Sequence, residues 1–432
     1  MSQEAHLPSP EELRVATLGD CTIDSPIENR QFTDDRARVL VDIDYLEGES
    51  VSPVAFEKAG ARERVYFDPA KSRAAVVTCG GLCPGLNNVI RHLFYALRDI
   101  YGVPDILGIR HGYRGLTPQS GLPPFPLTGD WVEAIHHQGG TMLGTSRGHQ
   151  DPAVMVDFLI DQGVNLFFPI GGDGTQRGAH AIAKEAARRG VDLAVVGIPK
   201  TIDNDIQYCF QTFGFISAVS EAERVIDRAH VEAKSVERGI GLVKLMGREA
   251  GFIAAAATIA SGEVNFCLVP EEHLELDGPD GFLAKLERRL DKRGHAVVVV
   301  AEGAGQDLVK DVDPDARDAS GNRRLGDIGV LLKQRIAEHM AAVGKPVGMK
   351  YFDPSYYIRS VAANAGDSLL TERFARHAAH AAMAGKTDML VGYWHGRVVH
   401  VPLAASTGKS RRLAPDSELW SAVLAITGQN RW

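Results

Sequence analysis

Two short loops hold the residues whose types and spacing are best suited to chemistry. Gly-Gly-Asp-Gly-Thr occupies residues 171–175, directly after the apolar run 165–170. Pro-Lys-Thr-Ile-Asp-Asn-Asp occupies residues 199–205, directly after the apolar run 193–198. Such apolar runs are typical of buried parallel strands, and residues 176–190 between the loops have helical spacing and a glycine stop. The predicted order is therefore strand, glycine-rich turn, helix, strand, acidic turn.

The chemistry of these loops follows from their place in such a unit, because ligands bind at the carboxyl ends of the strands of α/β sheets. Glycine backbone and helix N–H groups can bind a polyphosphate, and Asp173 can hold a metal ion beside it. Asp203 and Asp205 supply two carboxylates to the second loop. This pattern predicts a phosphoryl-transfer site.

A third glycine loop, Gly80-Gly81-x-x-Pro84-Gly85, follows a predicted strand at 74–78 and precedes a helix beginning at Leu86. Its bare backbone N–H groups can also hold phosphate. A simple packing turn explains this loop equally well.

Strands and helices alternate along the rest of the chain. Beyond the acidic loop the predicted elements are helix 213–235, strand 240–245, helix 249–260, strand 264–269, helix 281–292 and strand 296–301. This alternation predicts an α/β fold with two Rossmann-like lobes, each a mainly parallel sheet flanked by helices. The active site is expected in the cleft between the lobes.

Length, charge and composition restrict the class of protein. A chain of 432 residues and 46.7 kDa is too long for one compact core. The net charge of −8 arises in residues 1–60, so nothing suggests a nucleic-acid or membrane surface. The polar N-terminus and the lack of a long apolar run predict a cytoplasmic protein without a membrane span. Five cysteines without a Cys-x-x-Cys pair predict free thiols.

The loop at 171–175 also occurs in NAD kinases and diacylglycerol kinases, but further motifs distinguish these possibilities. The loop at 171–175 and five further motifs, in the family's order along about residues 71–390, closely resemble the phosphofructokinase family. They resemble in particular its long-chain branch, found in plants, some protists and some bacteria. The motifs are Pro-Lys-Thr-Ile-Asp-Asn-Asp at 199–205, Met246-Gly247-Arg248, Gly-Gly-Thr-Met-Leu-Gly-Thr-Ser-Arg at 139–147, Ala301-Glu302-Gly303 and Lys-Tyr-Phe-Asp-Pro-Ser-Tyr-Tyr-Ile-Arg at 350–359.

The resemblance implies transfer of the γ-phosphoryl group of ATP to the 1-hydroxyl of fructose 6-phosphate, with Mg²⁺ as cofactor. It makes Asp203 the catalytic base, Arg147 a donor to the transferring group and Asp173 the metal-associated acid. The implied ATP-site residues are Gly81, Arg147, Gly148, Gly172, Asp173, Gly174 and Thr175. The implied sugar-phosphate residues are Thr201, Ile202, Asp203, Asp205, Met246, Gly247, Arg248, Glu302, Lys350, Tyr356 and Arg359.

The same resemblance divides the chain. Residues 1–70 form an N-terminal extension, either wrapped around the core or a partly disordered arm. Residues 71–213, completed by about 360–390, form the ATP-binding lobe, and 214–359 form the fructose 6-phosphate lobe. Residues 391–432 form a C-terminal extension. Because the family's phosphate site takes residues from a neighbouring chain, a homodimer or homotetramer is expected.

Two positions bear on the phosphoryl donor, and they disagree. Gly174 is the choice of ATP-dependent members, because an aspartate there would crowd and repel the α-phosphate. Lys200 is typical of pyrophosphate-dependent members. An aspartate at position 174 would exclude ATP altogether, whereas the extra cation of Lys200 is compatible with ATP. We therefore expect ATP as the donor and keep pyrophosphate as the alternative. A non-catalytic homologue would have lost Asp173, Asp203 or Arg147, and all three are present.

Overall fold

The computed structural model describes residues 8–28, 31–48, 50, 52–310, 313, 315–317 and 323–431. These residues form two compact units. The first unit contains the described residues up to Thr201 together with Ile206–Gly214 and Ala362–Lys409. The second unit contains Ile202–Asp205, Phe215–Val361 and the described residues from Ser410 onward.

The elements within these residues are short strands and medium-length helices. The strands are β1 (Ala16–Thr17), β2 (Ile23–Asp24), β3 (Arg38–Leu40), β4 (Ala55–Lys58), β5 (Arg64–Val65), β6 (Arg73–Thr78), β7 (Asp105–Ile109), β8 (Phe125–Pro126), β9 (Leu166–Gly171), β10 (Ala194–Pro199), β11 (Gly239–Leu245), β12 (Phe266–Leu268), β13 (His295–Ala301), β14 (Gly348–Phe352), β15 (Lys386–Thr387), β16 (Met389–Trp394) and β17 (Arg397–Pro402). The α-helices are α1 (Leu86–Tyr95), α2 (Gly129–Val132), α3 (Pro152–Asp161), α4 (Asp173–Arg188), α5 (Phe215–Lys234), α6 (Phe252–Ser261), α7 (Phe282–Arg293), α8 (Ile328–Ala342), α9 (Ala365–Met383), α10 (Leu403–Ser406) and α11 (Glu418–Thr427).

The first unit is built on a sheet with strand order β3-β4-β17-β16-β10-β9-β6-β7-β8. The five strands from β16 to β7 are parallel, whereas those toward both edges pair antiparallel. Every residue of β9 and β10 is buried, as expected of central strands covered by helices on both faces. The carboxyl ends of β6, β9 and β10 therefore lie side by side, and each is followed by one of the glycine-rich or acidic loops.

The second unit contains a parallel sheet with order β12-β13-β11-β14. Strands β11 and β13 are in register over their whole length, from Gly239 opposite His295 to Leu245 opposite Ala301. A continuous apolar core covers one face of this sheet and includes Leu242, Val298 and Leu286. The loops after β11 and β13 consequently start next to each other.

The predicted α/β class with mainly parallel sheets flanked by helices is confirmed. One boundary differs in an informative way. Helix α4 begins at Asp173, with Gly172 as its N-cap, and not at Gln176. The glycine-rich loop therefore enters the first turn of the helix, because glycine at 174 does not prevent a helix whose later residues favour it.

The chain ends add to both units. Strands β3 and β4, from residues 1–70, extend the sheet of the first unit at one edge, and β1 pairs with β15. Residues 391–409, predicted as part of a C-terminal extension, belong to the first unit, because β16 and β17 are hydrogen bonded within its sheet.

All five cysteines are free thiols, in agreement with the sequence prediction, and four of them are buried. Burial raises the pKa of Cys79 and of Cys267 to about 12. Within the part of the chain that the structure describes, no helix is both long and apolar enough to cross a membrane.

Candidate active site

The loop after β9 presents a helix N-terminus with a carboxylate in its first turn. Gly171 ends the strand, and a side chain there would collide with Thr175, since a Cβ would lie 2.2 Å from its hydroxyl oxygen. Thr175 is buried, and its carbonyl accepts a hydrogen bond of 2.7 Å from the Tyr113 hydroxyl. These contacts fix the first turn of α4, whose free N–H groups favour an anionic ligand.

Asp173 is held in place from two sides. Its Oδ1 accepts a hydrogen bond of 3.0 Å from the Gly408 N–H, and its Oδ2 lies 3.1 Å from the Nε of Arg177 one turn along α4. The carboxylate nevertheless remains about one-third exposed, with 36% of the side-chain surface accessible. It is therefore oriented and still open to a ligand.

Gly174 differs from Gly171, because none of the residues that the structure describes requires position 174 to lack a side chain. An added Cβ would meet only the Arg177 guanidinium, at 3.9 Å, and the backbone φ lies outside the left-handed region. A Cβ at Gly171, by contrast, would collide. Packing within the protein therefore does not explain why residue 174 is glycine. A position that leaves space for a ligand would have this property.

The glycine loop after β6, which contains Gly80 and Gly81, lies at the same edge of the sheet. The side chain of Lys200 packs against it. The Lys200 side chain is buried, and its Nζ donates a hydrogen bond of 2.7 Å to the Gly81 carbonyl. A Cβ at Gly80, where φ is +85°, would lie 3.6 Å from the same nitrogen. The ammonium group is thus placed beside the backbone of the Gly80-Gly81 turn, and a cation there adds attraction for phosphate.

The segment that carries Arg147 and Gly148 is tied to this turn. The Gly80 N–H donates to the Ser146 carbonyl at 3.1 Å, and the Thr145 hydroxyl donates to the Gly80 carbonyl at 2.7 Å. Arg147 and Gly148 are both exposed, and Gly148 has a φ of +103° that favours glycine. The first unit therefore brings Gly81, Arg147, Gly148, Lys200 and the loop after β9 to one edge of its sheet.

The acidic segment after β10 passes from the first unit into the second. Thr201, in the first unit, accepts a hydrogen bond of 2.7 Å on its carbonyl from the Thr212 hydroxyl. Ile202 is buried, and Asn204 is buried with a left-handed φ of +56°. The Asp205 carbonyl accepts from the Arg411 N–H at 2.8 Å. Asp203 and Asp205, which flank the left-handed Asn204, are each half-buried in this segment.

In the second unit, the loops after β11 and β13 are bonded to each other. The Glu302 N–H donates to the Leu245 carbonyl at 2.9 Å, and the Gly303 N–H donates to the Gly247 carbonyl at 3.0 Å. Gly247 has a φ of +130°, and a Cβ on Gly303 would overlap the Arg248 carbonyl. Glycine is therefore required at both positions, and the result is that Arg248 and Glu302 share one strand-end surface with Met246.

The electrostatics of this surface centre on Glu302. Burial raises its pKa above the ordinary value, while Arg248 and Lys244 act in the opposite direction. Sequence reasoning missed Lys244. Its Nζ lies 2.9 Å from an Asp353 oxygen and 3.0 Å from an Asp327 oxygen. Burial acts to lower the pKa of Lys244, but these two carboxylates hold it above its ordinary value. A charged residue inside a buried strand was the available signal.

The remaining predicted residues lie on β14 or after it. The guanidinium carbon of Arg359 lies 4.6 Å from the centre of the Tyr356 ring, a cation–π contact, and Tyr356 is 76% exposed. Lys350 lies on β14 itself, opposite Gly241 and four residues before the end of β11. At ~3.3 Å per residue this is about 13 Å from the strand end. The register therefore separates Lys350 from the loop that carries Arg248.

One further contact was missed from the sequence. Gly408 donates to Asp173 within the first unit, and the residues from Ser410 onward belong to the second unit, where Arg412 pairs with Glu249 at 2.8 Å. No local motif marks residues 407–413, because their role depends on tertiary contacts.

Comparison with known proteins agrees with this arrangement. A family model described as phosphofructokinase matches residues 73–382. The chain is 44% identical to an ATP-dependent 6-phosphofructokinase of Borreliella burgdorferi over 97% of each chain. It is 47% identical to ATP-dependent 6-phosphofructokinase 7 of Arabidopsis thaliana, over 87% of this chain and 77% of the relative.

Solved structures agree at the level of the fold. A pyrophosphate-dependent phosphofructokinase of Marinobacter aquaeolei superposes with a TM-score of 0.67 at 19% identity, covering 83% of this chain and 91% of the other. The fold and the phosphate-suited strand ends define an α/β protein of the phosphoryl-transfer class. Given the matched family model and relatives, the chain belongs to the phosphofructokinase family.

Proposed function

We propose that this chain transfers the γ-phosphoryl group of ATP to the 1-hydroxyl of fructose 6-phosphate, forming fructose 1,6-bisphosphate and ADP. The observation that carries the choice of donor is Gly174, which packing leaves without a reason to be glycine. Support also comes from the relatives at 44% and 47% identity, which are named as ATP-dependent 6-phosphofructokinases. The first unit is assigned to the donor and the second to the acceptor.

On the donor side, the N–H groups at the start of α4 and the Gly80-Gly81 turn bind phosphate oxygens, and Lys200 adds positive charge. Arg147, exposed and at the same sheet edge, donates to the transferring group as its charge develops.

Asp173 suits the magnesium ion that the family implies. The described residues contain no group of three or more His, Cys, Asp or Glu side chains arranged to hold a metal. Mg²⁺ ordinarily takes one or two carboxylates and completes its shell with water and substrate phosphates, so an oriented, partly exposed carboxylate is a fitting donor. When bound, the ion neutralises charge on the phosphates.

On the acceptor side, Asp203 accepts the proton of the 1-hydroxyl, because a hydroxyl is a poor nucleophile until a positioned carboxylate assists it. Thr201, Ile202 and Asp205 hold this segment in place around the sugar. Arg248 and Arg359 bind the 6-phosphate, and Tyr356 adds a hydroxyl. Glu302 accepts hydrogen bonds from sugar hydroxyls, beside Met246 and Gly247.

The test of this assignment is Asp203→Asn, which keeps the size of the side chain and removes its basicity. We expect kcat to fall by about 10²- to 10⁴-fold, the usual contribution of a general base. The KM for fructose 6-phosphate should change little. Asp161→Asn, at an exposed carboxylate on the end of α3, is the matched control. Unchanged kcat in Asp203→Asn would remove that residue as the base.

A second candidate function, transfer from pyrophosphate, is favoured by one observation. Lys200 is buried against the Gly81 carbonyl, a place where its charge can act on a small donor. Product formation with ATP in one reaction and pyrophosphate in another separates the two. Turnover with ATP alone supports the main proposal, turnover with pyrophosphate alone replaces it, and no turnover with either indicates a non-catalytic homologue.

We further infer a cytoplasmic homodimer or homotetramer. The position of Lys350, away from Arg248 within one chain, supports completion of the phosphate site by a second copy. Light scattering of the purified protein gives the mass directly, and a monomer with full activity would contradict the inference.

A further inference from the structure

The first unit contains a cavity that none of the residues assigned to the reaction lines. It has a volume of about 530 Å³ and lies among α9, the β4 and β17 strands and the residues around Thr33. A volume of this size is within the range of small-molecule sites. The cavity is formed where the N-terminal residues extend the sheet edge.

The lining is strongly cationic. It includes Lys58 at the end of β4, Arg373 and Arg376 on α9, and Arg397 at the start of β17. Arg373 and Arg376 are three residues apart and so project from the same side of the helix. Among the described lining residues none is acidic.

The partners of these cations leave most of the charge available. Arg376 pairs with Glu372 on its own helix at 2.6 Å. Arg373 donates to the neutral Tyr393 hydroxyl at 3.2 Å, and Arg397 donates to the Gly396 carbonyl at 3.4 Å. Among the described residues, the four cations of the lining thus have one carboxylate partner between them, an arrangement that favours binding of an anion.

Two histidines form the inner wall. Burial lowers the pKa of His377 to about 2 and that of His380 to about 3, with nearby cations, Arg376 among them, acting in the same direction. Both rings are therefore neutral at physiological pH. His380 Nδ1 lies 2.7 Å from the Tyr101 hydroxyl oxygen, whereas the buried Nδ1 of His377 has no hydrogen-bond partner in the described structure.

The capacity of this cavity to bind an anion thus rests on its four cationic side chains, and the two neutral histidines add no negative charge beside them. Guanidinium groups bind phosphate oxygens with two parallel hydrogen bonds, and a neutral imidazole N–H can donate to the same group. We propose that this cavity is a second anion site that binds a small phosphate-bearing molecule, separate from the residues assigned to the reaction.

The test begins with crystals soaked in tungstate, an electron-dense analogue of phosphate. An anomalous peak between α9 and Arg397 is expected, with any peak at Arg248 serving as the control for soaking. Absence of a peak in the cavity at a concentration that occupies Arg248 would overturn the proposal.

Binding in solution is then measured by titration calorimetry with inorganic phosphate, with adenosine monophosphate and with citrate. The double variant Arg373→Gln/Arg397→Gln should lose one phosphate site or bind it at least about 10-fold more weakly, the loss of one charge-assisted hydrogen bond or more. Binding of the nucleotide but not of phosphate would extend the site to the ester, and binding of citrate alone would overturn the phosphate assignment.

Arg188→Gln is the matched control, since Arg188 is an exposed arginine of the same unit paired with a carboxylate, Glu185, on its own helix. The single variant Lys58→Gln provides a second measurement should the double variant fold poorly. Phosphate titrations of both variants that match the wild type and the control would contradict the proposal.

Discussion

The two units use different means to prepare for charged ligands. The strand ends of the first unit offer mostly backbone: Gly80, Gly81, Gly172 and Gly174, with one buried lysine, Lys200, directed at a carbonyl. The strand ends of the second unit offer side chains of both signs, centred on Glu302 and Lys244. The strand ends of the first unit thus offer open backbone to a ligand, whereas those of the second unit offer charged side chains.

This difference predicts different sensitivities. Adding a side chain should damage the first region most, because a ligand must approach the backbone closely. Removing a charge should damage the second region most, because its polar groups are half-buried and depend on one another. Variants of each kind test whether the contrast is real.

The largest effect is expected from Gly174→Asp. The open space means that the folded protein accepts the new side chain, whereas its charge opposes the donor phosphates, and like charges placed together cost several kcal/mol. We expect kcat/KM for ATP to fall by roughly 10³-fold, since about 4 kcal/mol corresponds to that factor. Steady-state kinetics measure this.

The control is Gly129→Asp, at a glycine of the same unit where an added Cβ meets nothing within 4 Å. It should leave kcat/KM and thermal stability unchanged. If Gly174→Asp retained its activity with ATP, position 174 would not border the donor. The proposal that the first unit depends on open backbone at its strand ends would then be contradicted.

The second prediction concerns the stability of the first unit. This unit also contains a group of charged side chains around Glu57, away from its strand-end loops. Buried Arg62 and half-buried Lys386 each lie 3.0 Å from Glu57, and buried His400 lies 3.1 Å from it. Glu57→Gln removes one member of a buried ionic group, which costs about 3 kcal/mol of unfolding free energy. Denaturant unfolding measures the loss, with the exposed Glu133→Gln as control.

This network also has a pH signature. Burial acts to raise the pKa of Glu57, but His400 and Lys386 hold it below its ordinary value. A lowered pKa means that the carboxylate stabilises the folded state at neutral pH and that this contribution is lost as the pH falls below the ordinary value. Wild-type stability should therefore fall more steeply in acid than that of Glu57→Gln. Parallel curves would mean that the network contributes nothing.

Much of this organisation could be predicted from local sequence. Buried parallel strands are apolar throughout, so the runs ending at Ile170 and Ile198 identified β9 and β10 to within one residue. Glycine, aspartate and arginine at strand ends then indicated the chemistry, because these positions converge in an α/β sheet. The interpretation of each residue's role remains a prediction.

Other features depend on contacts between distant parts of the chain and leave no local pattern. Lys200 reaches Gly81, which precedes it by 119 residues, and Gly408 reaches Asp173 across 235 residues. Lys244 lies within the predicted strand 240–245, and its ion pairs depend on Asp327 and Asp353, which are distant in sequence. Helix α4 began earlier than predicted because the glycines of its first turn obscured its start.

A third, smaller effect is expected from Glu302→Gln in the second unit. Loss of a charged hydrogen-bond acceptor costs about 1.5 kcal/mol or more, so the KM for fructose 6-phosphate should rise roughly 10-fold. Because burial raises the pKa of Glu302 above its ordinary 4.5, the wild-type KM should worsen as the pH falls through that raised pKa. The variant should lack this limb of the profile. An unchanged KM and an unchanged pH profile would exclude Glu302 from acceptor binding.

The smallest effect is expected from Arg412→Ala. This variant tests whether exposed charges near the strand ends of the second unit contribute to stability and kinetics, or whether only buried charges do. Arg412 and Glu249 pair at 2.8 Å, but their side chains are 62% and 51% exposed. Exposed pairs of this kind contribute about 0 to 1 kcal/mol, so unfolding free energy should change by less than that and kinetics hardly at all. Leu413→Ala, at the buried neighbour whose N–H donates to Glu271, should destabilise more. A larger loss from Arg412→Ala than from Leu413→Ala would show that exposed charge, and not burial, secures the C-terminal segment beside Glu249.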